Sequence, residues 1–394
     1  MKPFFRRKLI KRLVILALAF GSLWMTLYSH TTVSTHVTFP LLQTVYAHAS
    51  TEFFKDTEGL SKALEYGAIR GLLESLEDPY TRFLDPKRYT EMRSRMNGQF
   101  TGVGVGIGIK KGQVVVIAPL AGSPAEKAGL RAMDMIMSID GHSTYGLTLE
   151  EASSYIRGKK GTVVSLKIMR GVSGNILDMK LVRSKIKMHA VSKVMVFGKI
   201  GYIRLTTFEN YRATQEMEAA IRQLKKQSIE GLLLDVRNNG GGLLNNAVSI
   251  SGMFIAKGNI VHKVDRYQHL QTERVSGTPL YTGPLMVLVN QGSASASEIL
   301  AGALKDHHRA IIVGQRSFGK ASVQKVIELE DGSAVLLTVA QYLTPLGIDI
   351  SKKGLGVDHM IPDSAPLNED LYTVQTDRQL QDALALAKKE WHLW

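Results

Sequence analysis

The 394-residue chain has no cysteine. That absence excludes disulfides, thiolate-held metals and a cysteine nucleophile. Internal repeats and low-complexity linkers are also missing. Beyond the first dozen residues no basic run is interleaved with aromatics, so nucleic acid is not expected as a partner. The G-x-S-x-G signature of nucleophile-elbow hydrolases does not occur. No motif announces a histidine as the partner of a serine. His307 and His308 read as a partly exposed helix end. No metal or other cofactor is expected.

What is present begins with charge. The formal net charge is +14, and Lys2, Arg6, Arg7, Lys8, Lys11 and Arg12 supply six of these positives before the first apolar run. The run itself, Leu13–Tyr28, extends back through Leu9 and Ile10 to nearly the length of a spanning helix. A basic segment followed by an apolar one reads as a signal peptide or signal anchor, with the remainder exported. Ala47–Ala49 has a small-x-small cleavage form but lies far beyond Tyr28, so an uncleaved anchor is at least as good a reading as a cleaved signal. The remaining mildly basic surface suits anionic membranes or acidic peptides.

Periodicity divides the rest. Leu60–Leu76 has helical spacing, with Leu60, Leu64, Ala68, Leu72 and Leu73 on one face. From Phe100 the pattern alternates and is rich in glycine and valine, predicting two strands with a turn at Lys110–Gly112. Ser123 before Pro124 predicts a capped helix start, with Gly129 closing a short helix. Two further strands and a helix ended by Gly158 complete a compact, strand-rich module of about 85 residues. The second half alternates strands with helices, as an α/β core does. Met217, Ala220, Ile221 and Leu224 share one helix face. "GLLLDV" and "LMVLVN" read as strands buried on both faces, and a hairpin turns near Asp331–Gly332.

Three motifs carry the chemistry. "NQGSASASEIL" (Asn290–Leu300) places serines between a buried strand and a helix start. Ser295 with Glu298 has the form of a capping box. A helix N-terminus also offers free amides and a dipole that favour a developing oxyanion. "DVRNNGGGLL" (Asp235–Leu244) follows another buried strand, and its glycines permit close backbone approach. "GQRSFGKASVQ" (Gly314–Gln324) carries Lys320, which serves as a base only if burial lowers its pKa. The same stretch matches G-x-x-x-x-G-K, a phosphate-cradling loop. Against that alternative, Ala321 lacks the magnesium-binding hydroxyl, and the residues after Lys320 read as a strand rather than a helix.

Taken together, these stretches resemble the C-terminal processing, or tail-specific, serine peptidases over nearly the whole chain after the anchor. "DPYTRFLDP" resembles the family's N-terminal signature. "FTGVGVGIG" with "GSPAEKAGLRAMDMIMSIDG" is similar to its PDZ domain. The three chemical motifs follow in the family's order. The resemblance implies Ser295 as nucleophile, Lys320 as general base and Gln324 as the residue orienting that lysine. It implies an oxyanion hole from the amides of Gly241 and Ala296. It further implies a carboxylate-binding loop at Gly102, Val103, Gly104 and Val105 that takes apolar C-terminal tails. Ala321, where the family often has glycine, and "GLGVDHMIP" are small departures. A multidomain α+β fold is expected: a PDZ domain inserted before an α/β, crotonase-like peptidase core, with N-terminal helices and a membrane anchor. The expected layout is a signal anchor or signal peptide over 1–30, a helical region over 50–98, the PDZ domain over 99–184, and the core with its C-terminal segment over 185–394. A catalytically idle PDZ scaffold is the second reading. The expected location is extracytoplasmic, anchored or secreted, and a homodimer is compatible with the resemblance.

Overall fold

A computed structural model describes residues 39–55, 59–362 and 377–393, apart from 111, 121, 132, 172 and 173. The basic and apolar segment read as a signal or anchor lies outside the described residues. Among those described, no helix is long and apolar enough to cross a membrane. The chain divides into two compact units, 1–67 and 68–394. In the first, helix α1 (Pro40–Thr51) opens on a proline at its first turn and buries no side chain. Ala47–Ala49 therefore sits within a helix. Helix α2 (Ser61–Glu74) forms where the spacing predicts it. Only Leu73 of its apolar face is fully buried; Leu72 is half exposed.

Strand β1 (Arg82–Leu84) and helix α3 (Pro86–Met96) follow. Asp85 caps α3 by accepting from the Arg88 amide. Next come β2 (Gln99–Gly102), β3 (Val105–Lys110), β4 (Gln113–Pro119), α4 (Pro124–Lys127), β5 (Met135–Ile139), β6 (His142–Ser143), α5 (Leu149–Ile156), β7 (Val163–Arg170), β8 (Asn175–Val182) and β9 (Ser184–Lys187). Strands β3-β4-β5-β7-β8 form one antiparallel sheet, with β6 on β5. Val164, Leu166 and Ile168 alternate inward from β7 to join Val114, Val116, Ile136 and Ile139 in a closed core. Strands β2 and β9 pair with each other as a separate two-stranded ribbon, so the chain enters and leaves this module side by side.

The second half comprises β10 (Val191–Phe197), β11 (Ile200–Leu205), α6 (Ala213–Lys225), β12 (Gly231–Asp235), α7 (Leu244–Gly252), β13 (Lys257–Asp265), β14 (Leu270–Ser276), β15 (Leu285–Val289), α8 (Ala296–Asp306), β16 (Ile311–Gly314), β17 (Ser322–Glu328), β18 (Ala334–Leu343), β19 (His359–Met360) and α9 (Arg378–Glu390). The central sheet runs β10-β11-β12-β15-β16-β19, parallel except for β10. Its two faces are both covered. Leu232 and Leu234 point into the layer containing α6, α7 and α8, while Leu233 joins the layer containing α9. This explains the unbroken apolar runs. A second sheet has the order β1-β18-β13-β14, with β17 on β18.

The parallel topology positions the chemistry. Adjacent strands β12, β15 and β16 all end at one edge of the sheet, where ligands of open α/β sheets usually bind. The three loops leaving them are the three motifs read from sequence. Leu234, fully buried in the first layer, tests the dependence on this core. Leu234→Ala should cost about 2–5 kcal/mol, read as a lowered denaturant midpoint with unchanged slope.

Candidate active site

Of the serines in "SASAS", two are structural. Ser293 and Ser297 are fully buried. Their hydroxyls donate to the Val236 and Asn239 carbonyls at 2.8 and 2.7 Å, tying this loop to the glycine loop. Ser295 alone stays partly exposed. It also has φ +54° and ψ −116°, a costly conformation for a residue with a Cβ. The following residue, Ala296, opens α8. Its amide donates to no described backbone or side-chain group, so it faces the position beside Ser295 with the helix dipole behind it.

The glycine loop closes against this turn. Gly241 has φ +95°, and a Cβ there would lie 2.8 Å from both the Ala296 amide and the Ser295 Cβ. Only glycine lets the two backbones approach so closely. The Gly241 amide donates to Asn239 Oδ1 at 3.0 Å, and its carbonyl accepts from Phe208. Asn238 and Asn290 exchange two hydrogen bonds of 2.8 and 2.9 Å, linking the entrances of the glycine and serine loops.

Lys320 is half-buried. Burial, then the charge of Arg82, pushes its amine below the usual lysine range, against the opposing pull of Asp78, Glu209 and Glu298. Nζ lies 4.5 Å from the centroid of the Tyr80 ring. Among the described residues it makes no ion pair or hydrogen bond, and Ser295 is not bonded to it. The side chain of Gln324 donates instead to Ser322 Oγ at 2.8 Å and Thr338 Oγ1 at 3.3 Å. Lys320 lies before β17, which begins at Ser322, so strand alternation does not relate its side chain to that of Gln324.

The element that joins the loops was visible in sequence only as a helix cap. Glu298 is almost fully buried. Its Oε2 accepts from the Ser295 amide at 2.8 Å and the Lys320 amide at 2.9 Å. Its Oε1 accepts from the Gly319 amide at 2.7 Å and Ser317 Oγ at 2.5 Å. Two amides on one oxygen hold the main chains at 295 and 320 within roughly 6 Å, inside the span of a lysine side chain. Desolvation raises the Glu298 pKa despite the lowering effect of these four donors. Tyr342, on β18, adds a second strap, donating from one hydroxyl to the carbonyls of Ser295 (3.1 Å) and Lys320 (2.6 Å). The amides of Gly319 and Lys320 are thus spent on a carboxylate, and β17 follows Lys320. Neither feature suits a phosphate-binding loop. No group of three or more His, Asp or Glu among the described residues is arranged to hold a metal ion.

Beneath the glycine loop lies a buried charge network. Asp235 accepts from Tyr202 (2.8 Å), Arg204 (2.9 Å) and Arg237 (2.7 Å). Burial favours its protonation, but Arg237 and Arg204 outweigh that and hold the carboxyl well below its usual range. Arg237 also pairs with Asp377, immediately before α9, at 2.7 and 3.0 Å. In the small antiparallel module, the Val103 and Gly104 carbonyls accept from Ala125 and from Leu120 and Ser123. The amides of Val103 and Gly104, which lie between Gly102 and Val105, donate to no described residue.

Residues 199–361 match the model of peptidase family S41, and residues 115–170 match that of the PDZ domain. The chain is 41% identical over 330 residues to the carboxyl-terminal-processing protease of Picosynechococcus, covering 82% of this chain and 79% of that protein. It is 37% identical over 333 residues to carboxy-terminal processing protease CtpA of Bacillus subtilis, covering 84% and 70%. Among solved structures, the photosystem II D1 C-terminal processing protease superposes with a TM-score of 0.53 at 37% identity, over 86% of this chain and 89% of that one.

Glu298→Gln replaces one acceptor oxygen by a donor and strands at least one buried amide. It should destabilise the fold by about 1–3 kcal/mol, measured by chemical denaturation.

Proposed function

The chain belongs to peptidase family S41, the carboxyl-terminal processing serine peptidases, and carries a PDZ domain; from that premise we propose that Ser295 and Lys320 form its catalytic dyad. The observation that carries this reading is the shared carboxylate of Glu298, which keeps the two main chains together whichever way the lysine side chain points. Neutral Lys320 leaves the Tyr80 ring and takes the Ser295 proton as Oγ attacks the peptide carbonyl carbon. The tetrahedral oxyanion is held by the Ala296 amide and by that of Gly241, which exchanges Asn239 Oδ1 for the substrate oxygen. Collapse breaks the C–N bond, and the Lys320 ammonium returns its proton to the leaving amine. Water then attacks the acyl-enzyme ester, giving a proton to Lys320, and the ammonium passes that proton to Ser295 Oγ as the ester C–O bond breaks and the carboxylic acid departs.

Gln324 acts at one remove. Its hydrogen bonds to Ser322 and Thr338 brace the strand that follows Lys320, and a change of its rotamer would bring its carbonyl oxygen toward the amine. Substrate is chosen by the PDZ domain. The free amides at Val103 and Gly104 suit a C-terminal carboxylate, with Gly102 and Val105 flanking them, and the open edge of β3 suits an added peptide strand. Apolar tails are the expected ligands. The basic and apolar N-terminal pattern supports export across a membrane, with segment 1–30 serving as signal or anchor.

Ser295→Ala and Lys320→Ala should each abolish cleavage of a peptide with an apolar tail, while tail binding to the PDZ domain persists. Full turnover in either variant would overturn the dyad. A wild-type chain that binds tails and never cleaves them would be a scaffold. Because the neutral amine is the active form, kcat/KM should rise with pH through the Lys320 pKa and level off below the usual lysine range. Arg82→Gln removes a charge that disfavours the ammonium, so this limb should move to higher pH, as a pH–rate profile would show.

A further inference from the structure

The mechanism above makes no use of the charges buried under the glycine loop. Asp235, Arg237, Asp377 and Gln379 are all buried. Arg237 is shared between two carboxylates. Its guanidinium donates to Asp235 and, as a two-bonded fork, to Asp377, while Gln379 Oε1 accepts at 3.1 Å. Gln379 in turn donates to the Ile361 carbonyl at 2.8 Å. Asp377 thus supplies one of the two carboxylates that face the buried Arg237 guanidinium. Removing one member of such a set leaves a buried charge without compensation.

Arg237 also stands where the glycine loop begins. Its own amide donates to Asp235 Oδ1 at 2.9 Å. Asn238 next binds Asn290 of the serine loop. The Asn239 carbonyl then accepts from Ser297 and Ala294, and the Asn239 side chain holds the Gly241 amide. Every residue from Arg237 to Gly241 except Gly240 is thus pinned, and the first pin is an ion pair with a residue 140 positions away. Asp377 lies beyond residues 199–361, the part matched by the peptidase family model.

We propose that Asp377 is a positioning residue for peptide hydrolysis, holding Arg237 so that the glycine loop keeps Gly241 beside Ser295, where its amide turns from Asn239 Oδ1 to the oxyanion. This rests on the dyad and oxyanion reading above. Asp377 touches no substrate; it acts through Arg237.

The test uses the full chain. Asp377→Asn keeps a helix cap, because asparagine caps as well as aspartate, but it removes the charge and half of the fork. It should lower kcat about 10- to 100-fold, approaching the loss seen when an oxyanion donor is removed, with KM for a tailed peptide nearly unchanged. Asp377→Glu, which restores the carboxylate, should recover part of kcat. Leu384→Ala is the control. It loosens α9 from the sheet without touching Arg237, and should lower the melting temperature while leaving kcat intact well below that temperature. Equal kcat losses in Asp377→Asn and Leu384→Ala at matched stability would overturn the proposal, as would wild-type kcat in Asp377→Asn. Failure of the dyad reading shows separately, as undiminished cleavage by Ser295→Ala.

Discussion

A single buried carboxylate organises this molecule's chemistry. Glu298 draws donors from both the serine loop and the lysine loop. Burying an anionic carboxylate is expensive unless it is well bonded. Four short, charge-assisted bonds offset that cost only if both loops are in their native places. The carboxylate is therefore a conditional contact, favourable in the assembled arrangement and unfavourable in partial ones. Tyr342 repeats the linkage from the other side through the carbonyls of the same two residues. The main chains of Ser295 and Lys320 are thus held beside one another from two sides.

The strained backbone at Ser295 fits the same logic. A positive φ at a non-glycine residue persists when its surroundings over-determine it. Here Ser293 and Ser297 are anchored on either side, the Ser295 amide is held by Glu298 and its carbonyl by Tyr342. The strain leaves the hydroxyl at the head of α8 beside an unused amide. Lys320 is treated differently. Its main chain is pinned, while its amine rests over an aromatic ring in a half-buried site that weakens its hold on the proton.

The three loops were legible in the sequence because each follows a run of residues buried on both faces and each carries residues of unusual local demand. The glycines at 240–242, the alternating serines and the lone lysine after Gly319 all announce themselves. The two layers of the core were legible for the same reason, since Leu232, Leu233 and Leu234 can be continuous only in a strand covered on both sides. Other features were not. Glu298 has the spacing of a cap and performs that task, so nothing local marks its bonds to residues about twenty positions on. Gln324 bonds to Ser322 and, across the strand pair, to Thr338, a partnership that no pattern near Lys320 encodes. Hairpin β13–β14 was not read, because its half-buried strands carry scattered charges instead of clean alternation. Asp377 and Arg237 are ordinary surface types until 140 residues of chain bring them together.

The two-stranded ribbon β2–β9 has a consequence of its own. Gly98 and Met188 are hydrogen-bonded to each other, and Asn210 donates to the Met188 carbonyl, so the inserted domain departs and returns through one narrow neck. Neighbouring termini are what allow a folded insert to be accommodated without tearing its host. A module joined through neighbouring ends can be replaced by another with the same spacing of ends while the layers of the α/β core keep their own contacts.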